Sequence, residues 1–204
     1  MMELVALLLR HGQTELNQRD VLKGLMDPPL DDEGIQQAHD AAAFLAKFPI
    51  QRHMCSPLLR AFMTAQIVDS IIHVSPIQTR ELFPWDLGTK FMNVPKKDSG
   101  LERFVDEPDE TPENGVSLSD TMRRIHGFFS AELRANVLTL YDTHNSVITC
   151  LSELLKDGAS RKRRHPEMDG IVDPGGVVGI FMNDGKYEMQ PLFGQLDGEK
   201  YASS

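Results

Sequence analysis

Residues 4–9 read Leu-Val-Ala-Leu-Leu-Leu and stop at Arg10-His11-Gly12. Consecutive apolar residues bounded by charge fit a strand buried on both faces, the central strand of a parallel sheet. Sheets of that kind hold their ligands outside the carboxyl ends of the strands. Arg10, His11 and Gly12 stand at that end of this one. A single histidine after a strand is ordinarily structural. Two later segments set this one apart: Ser56-Pro57-Leu58-Leu59-Arg60-Ala61 and Asp142-Thr143-His144-Asn145, each following another short strand pattern.

The rest of the chain alternates. Asp27-Pro28-Pro29 breaks a loop, and Asp31 or Asp32 caps a helix whose stripe is Ile35, Ala38, Ala42 and Leu45. Residues 51–55 form a short strand; Ser56 caps the next helix with Pro57 at its first position, and Ala61, Ala65, Val68 and Ile72 face one side. Residues 77–82 read as a strand. Residues 89–116 are irregular and acidic, a solvated loop or lid insertion. Leu118, Met122, Ile125, Phe129 and Leu133 restore helical spacing, 137–141 is a strand, and Val147, Leu151 and Leu154 lie on a helix. Residues 177–182 and 187–192 flank Asn183-Asp184-Gly185-Lys186, a β-hairpin signal. The expected fold is α/β: a three-layer arrangement with a mostly parallel central sheet, helices on both faces and a C-terminal β-hairpin, in one domain over 1–204.

Charge narrows the partners. The formal net charge is −9, which argues against nucleic acid, since phosphate backbones demand basic surfaces. Positive potential for an anionic substrate must then be local to a pocket. Cys55 and Cys150 are too few for a disulfide framework and lack metal-ligand spacing. The first apolar run is too short and too charged for a signal peptide or a membrane span. The expectation is a cytoplasmic protein with no membrane partner; oligomeric state is not readable. The basic run at 161–164 reads as a solvated loop, and His39, His53, His73, His126 and His165 as structural.

Two arginines and two histidines meeting at one sheet edge suit a tetrahedral dianion. Arg10 and Arg60 offer fork-shaped, charge-assisted hydrogen bonds to phosphoryl oxygens. Neutral imidazole is a competent nucleophile at phosphorus. Gly12 lets the backbone approach the ligand closely. His144 can donate to an equatorial oxygen and stabilise charge in the transition state.

These residues resemble the signature of the histidine phosphatase superfamily, the phosphoglycerate-mutase-like fold. The likeness runs in order through Leu-Leu-Leu-Arg-His-Gly-Gln-Thr-Glu-Leu-Asn at 7–17, Asp27-Pro28-Pro29-Leu30 with Gly34 and Gln37-Ala38, Ser56 to Ala61 with Thr64-Ala65, Trp85-Asp86-Leu87-Gly88, and Thr143-His144. By this resemblance His11 is the phosphorylated nucleophile, Arg10, Arg60 and His144 bind the phosphoryl group, and Asn17 lies near it. It implies a small phosphorylated substrate, and no metal or organic cofactor.

The departures concern the leaving group. Such families place a general-acid Glu four residues before the Gly of the segment matching Trp85 to Gly88; here that position is Pro84. Glu81 or Asp86 can supply the proton from a shifted position, with Glu81 preferred as the residue closing the 77–82 strand. Asn145 follows the second histidine in place of the usual Gly, and Gly115-Val116-Ser117 stands for the familiar Gly-Glu-Ser. The expected activity is phosphomonoester hydrolysis through a phosphohistidine on His11. The alternatives are a protein phosphohistidine phosphatase, a phosphoglycerate-mutase-type phosphotransferase, or a catalytically weak phosphate-binding regulatory module.

Overall fold

The computed structural model describes residues 2–133, 137–156, 166 and 170–195. Six strands form one open mixed sheet in the order β3-β2-β4-β1-β5-β6. They are β1 (Glu3–Arg10), β2 (Arg52–Cys55), β3 (Ile77–Gln78), β4 (Thr139–Thr143), β5 (Val172–Asn183) and β6 (Lys186–Gln195). The first four run parallel, and β5 and β6 are antiparallel to their neighbours.

Strand β1 is apolar from Leu4 to Leu9 because both of its faces are covered. Leu7 and Leu9 pack with Ala41, Ala42 and Leu45 of α2 (Asp32–Leu45) and Val68 of α3 (Leu59–Ile72). Ala6 and Leu8 pack on the other side with Ile125 and Phe129 of α5 (Leu118–Glu132) and Val147, Ile148 and Leu151 of α6 (Asn145–Leu154). Each leucine of Leu7-Leu8-Leu9 is fully buried, contributing about 2 kcal/mol. The remaining helices, α1 (Glu15–Gln18) and α4 (Arg103–Asp106), are single turns.

The connectivity creates the site. From β1 the chain crosses by α2 to β2 and leaves a slot that β4 later fills, so the carboxyl ends of β2, β4 and β1 stand side by side. The seam is sealed where the strands end: His11 N–H donates to the Thr143 carbonyl at 3.0 Å, and Ser56 N–H to the Asp142 carbonyl at 2.9 Å. The hairpin closes in two residues, with Asp184 (φ 48°) and Gly185 (φ 82°) both left-handed, as a tight turn matching the strand twist requires.

Four local expectations need correction. The 77–82 strand stops at Gln78, and Arg80–Leu82 is a 3-10 turn whose N-cap, Thr79, accepts from Glu81 N–H. Arg124 of α5 fastens it by donating to the carbonyls of Glu81 and Phe83, so the segment turns where periodicity alone continues it. Helix α3 starts at Leu59, beyond Ser56 and Pro57. Its first N–H is capped from a distant loop by Asp27 Oδ1 at 2.5 Å, while the Ser56 hydroxyl accepts from Leu58 N–H at 3.4 Å, one residue ahead of the helix. Ile35 of the expected α2 stripe is 36% exposed, while Gly34 and Ala41 are buried instead. Finally, 89–116 is not a solvated loop: Phe91, Leu101 and Phe104 are buried in the same core as Trp85. It is laced to the 20–22 segment by Asn93 N–H to the Leu22 carbonyl and Leu22 N–H to the Val94 carbonyl. The basic run at 161–164 and His165 lie outside the described residues.

Candidate active site

A cleft of about 360 Å3, open mouth included, lies at the carboxyl ends of β1, β2 and β4. It is lined by Arg10, His11, Lys23, Gly24, Arg60, Pro84, Lys96, His144, Asn145 and Ser146. The four residues singled out as the phosphoryl site, Arg10, His11, Arg60 and His144, are therefore brought together. His11 and His144 follow β1 and β4 directly, and Arg60 is the second residue of α3.

His11 is 2% exposed. Its Nδ1 lies 2.7 Å from its neighbour's carbonyl, Gly12 O. A carbonyl only accepts, so Nδ1 carries the hydrogen and Nε2 carries the lone pair. That lone pair accepts from Arg60 Nε at 3.3 Å. The ring is thus held in one tautomer, with its unprotonated nitrogen against a guanidinium edge. Burial, then the charges of Arg60, Lys23 and Arg10, push the His11 pKa well below the ordinary imidazole range, against a smaller opposing effect of the Gly12 carbonyl. His144 is pushed down in the same way by burial, Arg60, His11, Lys23 and Arg124. Its ring meets His11 edge to face with centroids 5.2 Å apart. Its Nε2 bonds Ser56 Oγ at 2.8 Å, and its buried Nδ1 has no partner among the described residues, so one nitrogen remains for a ligand.

Arg60 is 1% exposed, and carbonyls hold it. Nη1 donates to Met26 O at 2.6 Å and Nη2 to Gly24 O at 3.4 Å. Thr64 links this helix to the loop that carries His11: its hydroxyl donates to Arg60 O at 2.8 Å and accepts from Gly12 N–H at 3.1 Å. Arg10 donates to Val172 O at 2.7 Å and reaches Asn145 Oδ1 at 3.5 Å. Asn145, in the position where the family pattern has Gly, also donates to Pro166 O at 2.9 Å.

Gly12 has a packing reason to be small. A Cβ there would lie 2.3 Å from Gly34 O, and a Cβ on Gly34 would lie 2.1 Å from Gln13 O. Two glycines let the loop after β1 cross the start of α2 in backbone contact.

Three expected residues do not line the cleft. Asn17 spends its amide oxygen on Thr14, accepting from Thr14 N at 3.2 Å and Oγ1 at 2.8 Å; it braces the loop after His11. Glu81 is exposed on the 3-10 turn. Asp86 accepts from Gly88 N–H at 3.0 Å and shapes its own loop. Among the described residues, no carboxylate lines the cleft. Pro84 occupies that wall, and Trp85 behind it is fully buried, its Nε1–H donating to Val116 O at 2.8 Å.

Sequence reasoning missed Lys23, Lys96, Ser56 and Arg124. Lys23 precedes a glycine in the loop before Asp27, a placement that could have drawn notice. Lys96 comes from the 89–116 segment, where no local signal marks it, and it pairs with Asp20 at 2.9 Å.

The depressed imidazoles set a pH dependence. The unfolded chain protonates them near 6.5, while the folded protein holds them neutral. Stability from this source is complete above that value and is lost as pH falls toward their depressed values. A reaction needing neutral His11 should have its acid limb below about 6.5. A pH–rate profile of kcat/KM on an aryl phosphate, corrected for substrate ionisation, checks this; a limb at or above the ordinary value would contradict it.

A family model described as the histidine phosphatase superfamily (branch 1) matches residues 6–190. A 2,3-bisphosphoglycerate-dependent phosphoglycerate mutase of Azorhizobium caulinodans is 30% identical over 172 residues, covering 76% of this chain and 82% of the relative. An adenosylcobalamin/alpha-ribazole phosphatase of Salmonella typhi is 30% identical over 129 residues, covering 60% of this chain and 64% of the relative. The crystal structure of phosphoglycerate mutase from Thermus thermophilus superposes with a TM-score of 0.72 at 24% identity, over 97% of this chain and 100% of that one. That last likeness speaks to the fold. Among the described residues, no helix is long and apolar enough to cross a membrane.

Proposed function

The chain belongs to the histidine phosphatase superfamily, and on that premise we propose that it hydrolyses small phosphomonoesters through a phosphohistidine on His11. The observation that carries this reading is the tautomer lock: Nδ1–H on the Gly12 carbonyl leaves the lone pair on Nε2, which accepts from Arg60 and is freed for attack when a phosphoryl oxygen takes over that donor. Nε2 attacks phosphorus in line, the N–P bond forms and the P–O bond to the leaving group breaks. The ring gains positive charge as it does so, and the Gly12 carbonyl, already accepting from Nδ1–H, stabilises it. Arg10, Arg60 and His144 take the phosphoryl oxygens. Water then attacks phosphorus, returning the ring to its neutral form and releasing inorganic phosphate.

Lys23 and Lys96 add cations to the walls. They supply local positive potential on a chain of net charge −9, and favour a dianionic substrate. The mutase names among the relatives belong to those proteins; hydrolysis is preferred here because the cleft has an open mouth through which water can reach the intermediate.

The substrate class follows from the missing carboxylate. An alkoxide leaves poorly without a proton, whereas an aryl oxide or the nitrogen of a phosphohistidine needs less help. Dephosphorylation of a protein phosphohistidine is the second reading, favoured by the Pro84 wall and the exposed Glu81. The test compares aryl with alkyl phosphates. The expected kcat/KM ratio exceeds about 10³, with Glu81→Gln leaving it unchanged. A Glu81→Gln variant that loses only the alkyl activity would return the acid role to Glu81, and equal rates on both would show that an acid assists the leaving group after all.

A further inference from the structure

The sheet carries one buried pair that the proposed chemistry does not use. His53 on β2 and Asp142 on β4 are both fully buried. They are hydrogen-bonded through His53 Nε2 and Asp142 Oδ2, beneath α3 and beside an otherwise apolar layer of Leu7, Leu9, Val68 and Leu140. His53 Nδ1 donates to Val74 O at 2.9 Å, just past the end of α3. Burying an ionisable pair among leucines costs more than an apolar pair of the same volume, so stability is a poor account of its presence.

Its position suggests another. The register pairs Cys55 with Asp142, which puts the bond one step below the strand ends. Asp142 O accepts from Ser56 N–H at 2.9 Å, and Ser56 Oγ bonds His144 Nε2 at 2.8 Å. Ser56 is three residues after His53, and His144 is two after Asp142. The chain of contacts runs from the end of α3 through both strands to the imidazole at the cleft.

We propose that His53 and Asp142 are positioning residues that clamp β2 to β4 and thereby fix Ser56 and the His144 ring in the orientation that meets the transition state. The proposal rests on the phosphotransfer reading for its kinetic consequence, though not for its effect on binding. Neither residue touches the cleft, so both act through His144. The clamp holds geometry that matters most when the phosphoryl group is trigonal bipyramidal, and less when a tetrahedral anion is bound.

The test is the double variant His53→Leu with Asp142→Val, which removes the polar bond and leaves an apolar layer. It should remain folded, with a thermal midpoint at or above the parent's. Its kcat on aryl phosphate should fall about 100-fold with little change in KM. Its vanadate affinity should fall about as far while its phosphate affinity holds within a few-fold. Asp142→Asn, whose amide can donate to a neutral His53, should restore most of kcat and of vanadate affinity. If the double variant does not fold, Asp142→Val alone severs the same bond and is held to the same kinetic and binding expectations, with a thermal midpoint below the parent's because His53 Nε2 is left buried without a partner. A folded variant with the parent's kcat and vanadate affinity would overturn the proposal, as would an equal loss of vanadate and phosphate binding. A parent that binds vanadate but turns over no phosphoester would instead remove the functional reading, and the two affinities would still decide the clamp.

Discussion

His11→Ala is expected to lower turnover of an aryl phosphate by about 10⁴-fold or more while leaving the fold in place. The buried ring makes one hydrogen bond to the adjacent Gly12 carbonyl, one from Arg60 and an edge contact with His144. Losing them and opening a cavity where the ring was should cost about 2 kcal/mol, which leaves the fold in place. Removing the nucleophile, by contrast, removes the intermediate. Steady-state kinetics and a thermal melt on the same preparation separate the two effects. A folded variant that retains the parent rate would mean that another group attacks phosphorus.

Arg60→Ala should be the next most severe change, and it should act on two levels. The guanidinium faces the nucleophile and is oriented by two carbonyls, so its loss should lower kcat/KM by about 10²- to 10³-fold. It is also almost completely buried at 1% exposure. Truncation leaves the Met26 and Gly24 carbonyls short of a donor and opens a cavity, at a cost of about 2 kcal/mol. Arg60→Lys should recover little activity, because a single ammonium cannot serve both carbonyls and a phosphoryl group in the plane the fork defines. Full recovery by lysine would show that charge alone suffices at this position.

What the sequence made legible, and what it did not, divides along physical lines. The β1 run and the placement of His11, Arg60 and His144 after strands were readable because buried strands are marked by composition and because parallel sheets gather their carboxyl ends. The hairpin was readable because Asp184-Gly185 is a two-residue left-handed turn written in the residues themselves. The start of α3 was misread because its cap, Asp27, comes from a distant loop, and no local pattern marks a cap supplied across space. The strand expected over 77–82 failed similarly, since Arg124 on α5 pulls that segment into a turn through its carbonyls. Glu81 was preferred for its place at the end of a strand that does not extend so far. The 89–116 segment looked solvated because of its acidic run Asp106-Glu107-Pro108-Asp109-Glu110, yet Phe91, Leu101 and Phe104 are spaced too irregularly to reveal that they are core. Lys96 arrives in the cleft with that segment and was hidden with it. Gly12 was read as a place for close ligand approach; its backbone contact with Gly34 was hidden because the two glycines are 22 residues apart in sequence.

The central claim is that phosphorus becomes bonded to His11 Nε2. Rapid acid-free quenching of the protein during turnover of a radiolabelled aryl phosphate measures it directly. The account predicts a phosphoryl group that is stable to alkali, labile to acid, located on His11 by mass spectrometry, formed before inorganic phosphate is released and absent from His11→Ala. Turnover at the parent rate with no label trapped on the protein, or with the label on a residue other than His11, would contradict it.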